Sequence, residues 1–269
     1  MLAEDDGDRG QLRDLVARRP ADGATLRRAE DVAAGAARGP VVDELIARRA
    51  RRQTTTVARM AGLGTARDAA NAERRLRAAG FPTPKSLEEF ALAQSSVPRP
   101  TYDYLASLEW VRASENLCLV GPAGTGKSHL LIALGHAAVS AGHRVRYLTA
   151  AELIELLYRG LADNSVGKQI AALLHCELVI VDEVGLAPLD ATGTQLLFRL
   201  VAGAYERRSL AIASHWPFED WGRFLPEQTT AVSLLDRLLH HATVVVTEGE
   251  SYRMKEARSR RTTPKKKDE

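Results

Sequence analysis

The tightest constraint in this 269-residue chain is an octet, Gly121-Pro122-Ala123-Gly124-Thr125-Gly126-Lys127-Ser128, set directly behind the apolar run Asn116–Val120. It fits the pattern G-x-x-x-x-G-K-[ST]. In that pattern, backbone N–H groups wrap a phosphate, the lysine supplies a mobile cation, and the terminal hydroxyl meets Mg²⁺. Glycine allows the chain to wrap that closely. The arrangement works where a strand feeds the turn and the turn opens a helix, because the helix N-terminus then points its dipole at the anion. Residues Lys127–Ser140 have the composition of such a helix. The octet, with His129 in the first helical turn behind it, therefore predicts a site for ATP with Mg²⁺. It also sets the fold class as α/β.

The residues around the octet agree. Further strands are expected at Arg144–Leu148, Leu178–Val181, Leu210–Ala213 and Thr243–Thr247. Helices are expected from Ala150 to about Gly160, and at Val166–His175, Asp190–Arg207 and Thr229–Leu239. Apolar strands separated by helices predict a parallel sheet covered on both faces. Residues 113–253 would form this core.

Upstream, residues 65–112 read as a helical linker region. Its first helix, Thr65–Ala79, ends at Gly80 with Pro82 beyond. A stiff Phe81–Lys85 segment follows, then a capping box at Ser86–Glu89 and a helix over Tyr102–Val111. Residues 1–64 are rich in Ala, Arg, Gly and Asp. They predict a small, partly disordered N-terminal region with short helices at Gln11–Arg19 and Val41–Arg52. Arg48, Arg49, Arg51 and Arg52 cluster in the second of these. The 254–269 tail is also basic. Each cluster is either a solvated face or a set of phosphate contacts to DNA.

Three further strand or helix ends carry chemistry. The run Leu178-Val179-Ile180-Val181 delivers Asp182 and Glu183 to the carboxyl end of a buried strand, where open α/β sheets bind ligands. Asp182 would hold Mg²⁺ beside Ser128, and Glu183 would orient and deprotonate the attacking water. At the end of another strand, His215 or Ser214 would sense the γ-phosphate, or His215 is a plain loop residue. Arg237 stands polar within the apolar helix Leu234–Leu239. It is either a surface ion-pair partner of Asp236 or an arginine finger for a neighbouring subunit's ATP. His240 and His241 read as helix-end residues rather than ligands, since adjacent residues do not share a helix face. Arg253 would face either the nucleotide or the sheet edge.

A net charge of +3 is compatible with nucleic acid without demanding it. The two cysteines, Cys118 and Cys176, lie in or beside apolar runs and lack metal-ligand spacing. They read as buried core thiols in a reducing cytoplasm. No apolar run has the length of a membrane span.

On the octet and on several longer stretches the chain resembles the IstB-like helper ATPases of insertion sequences. These are AAA+ proteins related to the DnaC helicase loader. The stretches include Ala79-Gly80-Phe81-Pro82, Lys85–Phe90, Ala106–Trp110, Ala133–Ala138, Tyr147–Leu153, Trp216–Trp221, Leu235–His241 and Gly249–Arg253. The resemblance implies an AAA+ P-loop core with a five-stranded parallel sheet and little or no lid domain. It implies ATP-dependent homo-oligomers on double-stranded DNA that present target DNA to a cognate transposase. It also implies nucleotide and hydrolysis roles for Lys127, Ser128, Asp182 and Glu183, and the finger role for Arg237. Loader and helper share this core, so a replicative loader is the alternative, with a degenerate nucleotide-binding relic as a third reading. The sequence departs from the family in its leucine-poor first 60 residues. It also departs at His215, where Asn is usual, which implies slow or pH-sensitive hydrolysis.

Overall fold

The computed structural model describes residues 66–254 and residue 258, with side chains from residue 71 onward. The helices expected at 11–19 and 41–52, their arginine cluster and most of the basic tail lie outside the described residues.

The core is built around β1 (Asn116–Val120), which pairs in parallel with β4 (Ser209–Ser214) on one side and β5 (Ala242–Val246) on the other. Beyond β4 lie β3 (Leu178–Val184) and β2 (Val145–Thr149), giving the order β2-β3-β4-β1-β5. All pairings are parallel, as buried apolar strands linked by helices require.

Alternation along each strand divides the core between two faces. Cys118 and Val120 join Val179, Val181 and Ile212 on one face. That face is covered by α5 (Ala150–Ala162), α6 (Val166–Leu173), α7 (Ala191–Ala204) and α8 (Gln228–Leu239). Leu117 and Leu119 join Ile180, Ala211 and Ala213 on the opposite face, under α4 (Lys127–Ser140) and the segment that precedes β1. That segment begins with α1 (Ala66–Ala79) and ends with α2 (Arg99–Ala106) and α3 (Glu109–Arg112). The edge strand β5 is only partly covered, and Val244 and Val246 are exposed.

Three expectations are corrected. The Tyr102–Val111 helix is two short helices, because Leu108 adopts a left-handed conformation, φ 57°, at the break. The break turns Trp110 and Val111 fully inward, and the Trp110 indole donates to the Leu105 carbonyl. Burial of an indole outweighs the strain at one residue. The capping box at Ser86 and Glu89 does form, with both reciprocal bonds present, yet it closes a turn rather than opening a helix. Phe90 is drawn into the core immediately afterwards, which diverts the chain. Cys118 is buried, and burial pushes its thiol up to about 12, but Cys176 is only half-buried at the margin of the core. In addition, β3 runs three residues further than Val181, through Asp182 and Glu183 to Val184.

One buried amide ties three elements together. Asn116 donates from Nδ2 to the Leu238 carbonyl and accepts at Oδ1 from the Leu210 amide, each at 2.9 Å. Asn116→Leu would leave both backbone groups without partners in the core. The expected loss is about 3 kcal/mol in urea unfolding, and a loss below about 1 kcal/mol would mean the strand ends reorganise to satisfy them.

Candidate functional site

The phosphate loop hangs between two strands. Gly121 donates its N–H to the Ser214 carbonyl at the end of β4, and Thr247, just past β5, donates to the Val120 carbonyl. Gly124 and Gly126 both take left-handed φ, 83° and 93°, and Gly126 is the N-cap of α4. Lys127 and Ser128 are thereby the first residues of that helix, with its free amides facing the loop.

The loop is also clamped from outside, which the octet alone does not reveal. A Cβ at Gly121 would lie 2.0 Å from the Thr247 carbonyl oxygen, and one at Gly124 would lie 2.1 Å from Ser251 Oγ. The Thr125 and Thr247 hydroxyls share a 2.7 Å hydrogen bond, and Tyr252 donates its N–H to the Gly124 carbonyl. Two of the loop glycines are therefore required by the Thr247–Tyr252 segment as well as by phosphate. Arg253, exposed, follows in the same segment. Its positive charge is near enough to disfavour the charged form of Lys127.

Lys127 folds back onto the loop, with Nζ 2.5 Å from the Gly121 carbonyl and 2.6 Å from that of Pro122. Burial pushes its pKa down, Asp182 raises it and Arg253 lowers it further. A desolvated ammonium held by two carbonyls, next to free helix-end amides, suits a polyanion that would take the ammonium over.

Asp182 is buried at 2% exposure. One of its oxygens accepts from the Tyr147 hydroxyl at 2.9 Å and the other from the Glu183 amide at 2.8 Å. A carboxylate oriented at both oxygens and set near Lys127 fits a hard divalent cation at this edge. Tyr147 was not legible as part of the site. It lies on the neighbouring strand, where Thr149 pairs with Asp182, and burial followed by the Asp182 charge raises its pKa strongly.

Glu183 follows at a register shift between β3 and β4, with φ 61°. Such a bulge breaks the alternation of the strand. Glu183 is accordingly exposed while Asp182 and Val184 on either side of it are buried. A non-glycine residue in this conformation carries strain of about 1–2 kcal/mol.

Because β4 lies between β1 and β3, its end brings Ser214 and His215 between the phosphate loop and Asp182. The Ser214 hydroxyl is engaged in a turn with Trp216. His215 packs on Trp216 and its Nδ1 is buried without a hydrogen-bond partner among the described residues. His129, by contrast, turns its ring toward Phe90, and burial lowers its pKa. Its imidazole packs under the linker segment, so what it presents to a nucleotide is its place in the first helical turn.

Arg237 is not gathered with these residues. It donates to the Ser233 carbonyl, and its guanidinium stacks 5.1 Å from the Phe198 ring. The end of α8 lies beside the start of β1, where Asn116 bonds both Leu238 and His241. The loop lies at the other end of that strand, roughly 13 Å of extended chain away.

This strand order and loop agree with the comparisons. The family model of IstB-like ATP-binding proteins matches residues 60–260. The chain belongs to this family. It is 40% identical over 203 residues to the ATP-binding protein of insertion sequence IS21 from Pseudomonas aeruginosa, covering 73% of this chain and 77% of that one. It is 32% identical over 179 residues to the corresponding protein of IS5376 from Geobacillus stearothermophilus, covering 66% and 71%.

Among solved structures, AMPPCP-bound DnaA from Aquifex aeolicus superposes with a TM-score of 0.53 at 20% identity, over 67% of this chain and 56% of that chain. DnaI gives 0.51 at 17% identity, over 62% and 96%. Those likenesses establish the AAA+ P-loop fold. Among the described residues no helix is long and apolar enough to cross a membrane.

Gly124→Ala would drive its new methyl into Ser251 and force an alanine into a left-handed turn. About tenfold weaker ATP binding is expected by calorimetry. Unchanged affinity would mean that the Thr247–Tyr252 clamp and the loop are not coupled.

Proposed function

We propose that this protein is an ATP-hydrolysing, DNA-binding helper of transposition, whose active site is shared between two subunits. The observation that carries the reading is the separation of its parts. The phosphate loop, Asp182, Glu183 and His215 converge on the carboxyl edge of the sheet, and Arg237 lies toward the opposite edge.

Within one chain the roles divide as follows. The amides of Gly121–Ser128 and the Lys127 ammonium bind the phosphates. The Ser128 hydroxyl and Asp182, the latter oriented by Tyr147, would hold Mg²⁺, which neutralises charge developing on the phosphate oxygens. Glu183 orients and deprotonates the attacking water. His215, at the end of β4 between the loop and Asp182, accepts from or donates to that water or the γ-phosphate. Arg253 adds positive charge at the open side of the loop, and Arg237 enters the ATP site of the next subunit as a finger. ATP thereby acts as an assembly switch. The intact set of Lys127, Ser128, Asp182 and Glu183 speaks against a degenerate relic.

The relatives' names place them in insertion sequences, which favours a transposition helper over a replicative loader. The client would be a transposase, the substrate surface double-stranded DNA, and the compartment the cytoplasm.

Glu183→Gln should retain ATP binding while phosphate release falls by about two to four orders of magnitude, the range of general-base contributions. Turnover at the native rate would remove Glu183 from the mechanism. Arg237→Ala should bind ATP as a monomer with native affinity and fail to assemble with ATP on DNA in sedimentation. Native-size oligomers from that variant would refute the shared site.

A further inference from the structure

At the sheet edge opposite the nucleotide, the chain gathers a second group of potential ligands that the ATPase reading does not use. Glu206 sits in the turn after α7. His240 caps the C-terminus of α8, and His241 follows it just before β5. His241 Nε2 lies 3.5 Å from Glu206 Oε1, and His240 Nδ1 lies 3.9 Å from the same oxygen. The three donor atoms all lie within 4.8 Å of one another.

Adjacent residues inside a helix diverge by about 100°, which is why the pair reads from sequence as helix-end residues and nothing more. The helix ends at Leu239 with His240 as its C-cap, and the two rings approach edge to face with centroids 4.0 Å apart. The backbone holds this arrangement. The His241 carbonyl accepts from the Asn116 amide at 2.7 Å. The Tyr205 hydroxyl lies 2.8 Å from His240 Nδ1. Glu206 itself takes a left-handed φ of 56°, a conformation that is strained for a side-chain-bearing residue.

We propose that Glu206, His240 and His241 form a binding site for a divalent transition-metal ion of the Zn²⁺ class. Two imidazoles and a carboxylate are a borderline-soft donor set that selects Zn²⁺ over Mg²⁺ or Ca²⁺. Donors about 2.0–2.1 Å from a tetrahedral Zn²⁺ stand about 3.3 Å apart. The three side chains are exposed, and their donor atoms, within 4.8 Å of one another, would have to draw closer to reach that spacing. A cation takes the place of the Tyr205 hydroxyl at His240 Nδ1, and its fourth position is left to water, since the site is open to solvent. The ion braces the C-terminus of α8 against the turn that ends α7. This inference does not depend on the nucleotide reading, because no residue of the phosphate loop takes part.

The test uses the untagged full-length protein, stripped with chelator and titrated with Zn²⁺ by calorimetry in excess Mg²⁺. One Zn²⁺ per chain with a micromolar or tighter dissociation constant is expected, together with a higher Tm. Co²⁺ in place of Zn²⁺ should give the visible absorption of a four-coordinate site. Glu206→Gln, His240→Gln and His241→Gln should each weaken binding at least tenfold, while His175→Gln, outside the cluster, leaves it unchanged. Circular dichroism and ATP binding establish that each variant is folded. Absence of stoichiometric Zn²⁺ binding overturns the proposal and leaves Glu206 as an ion-pair partner of the histidines. Binding of equal affinity in the doubly substituted His240→Gln/His241→Gln protein overturns it as well.

Discussion

The nucleotide edge depends on how β1 is suspended. Its loop is held from one side by the Gly121 amide on the Ser214 carbonyl and from the other by the Thr247 amide on the Val120 carbonyl. Those two bonds exist because β1 lies inside the sheet, between β4 and β5. A glycine-rich turn at a sheet edge would be free to collapse. Here both flanks are fixed, so the left-handed glycines present their amides in one arrangement. The same placement brings the end of β4, with His215, alongside the loop. One step further across the sheet comes Asp182 on β3.

Electrostatics follow from that geometry. Lys127 loses water on entering the loop, which lowers its pKa, and the nearby Asp182 acts in the opposite sense. Asp182 is buried and depends on the Tyr147 hydroxyl and the Glu183 amide to satisfy its oxygens. The bulge after Val181 then separates two adjacent acids into different environments. One is fixed inside the sheet, and the other is exposed in a strained turn. At the far edge the Arg237 guanidinium rests on Phe198 and donates to the Ser233 carbonyl of its own helix.

Much of this was legible because it is local. The octet carries its own turn chemistry, and each apolar run of β1, β3, β4 and β5 is short and bounded by polar residues, so their boundaries fall within a residue or two except at the end of β3. The region before β1 was harder to read. There the apolar spacing of Leu105, Leu108 and Val111 suits one helix, but Trp110 gains more by turning inward than the helix gains by continuing. The Ser86 box likewise closes its hydrogen bonds without a helix, because Phe90 is claimed by the core. Local propensity loses wherever a large apolar group can be buried instead.

The sequence by itself determined the phosphate loop, the acid pair and the parallel α/β core, since each rests on residues adjacent in the chain and on a short hydrophobic period. Only the tertiary structure decided what joins them. It set Tyr147 against Asp182 and closed Thr247–Tyr252 over Gly121 and Gly124. It also left Arg237 and the Glu206, His240 and His241 group toward the other edge. These contacts link residues far apart in sequence, so no spacing rule encodes them. Strand order fixes them, because it sets the ends of β1, β3, β4 and β5 side by side.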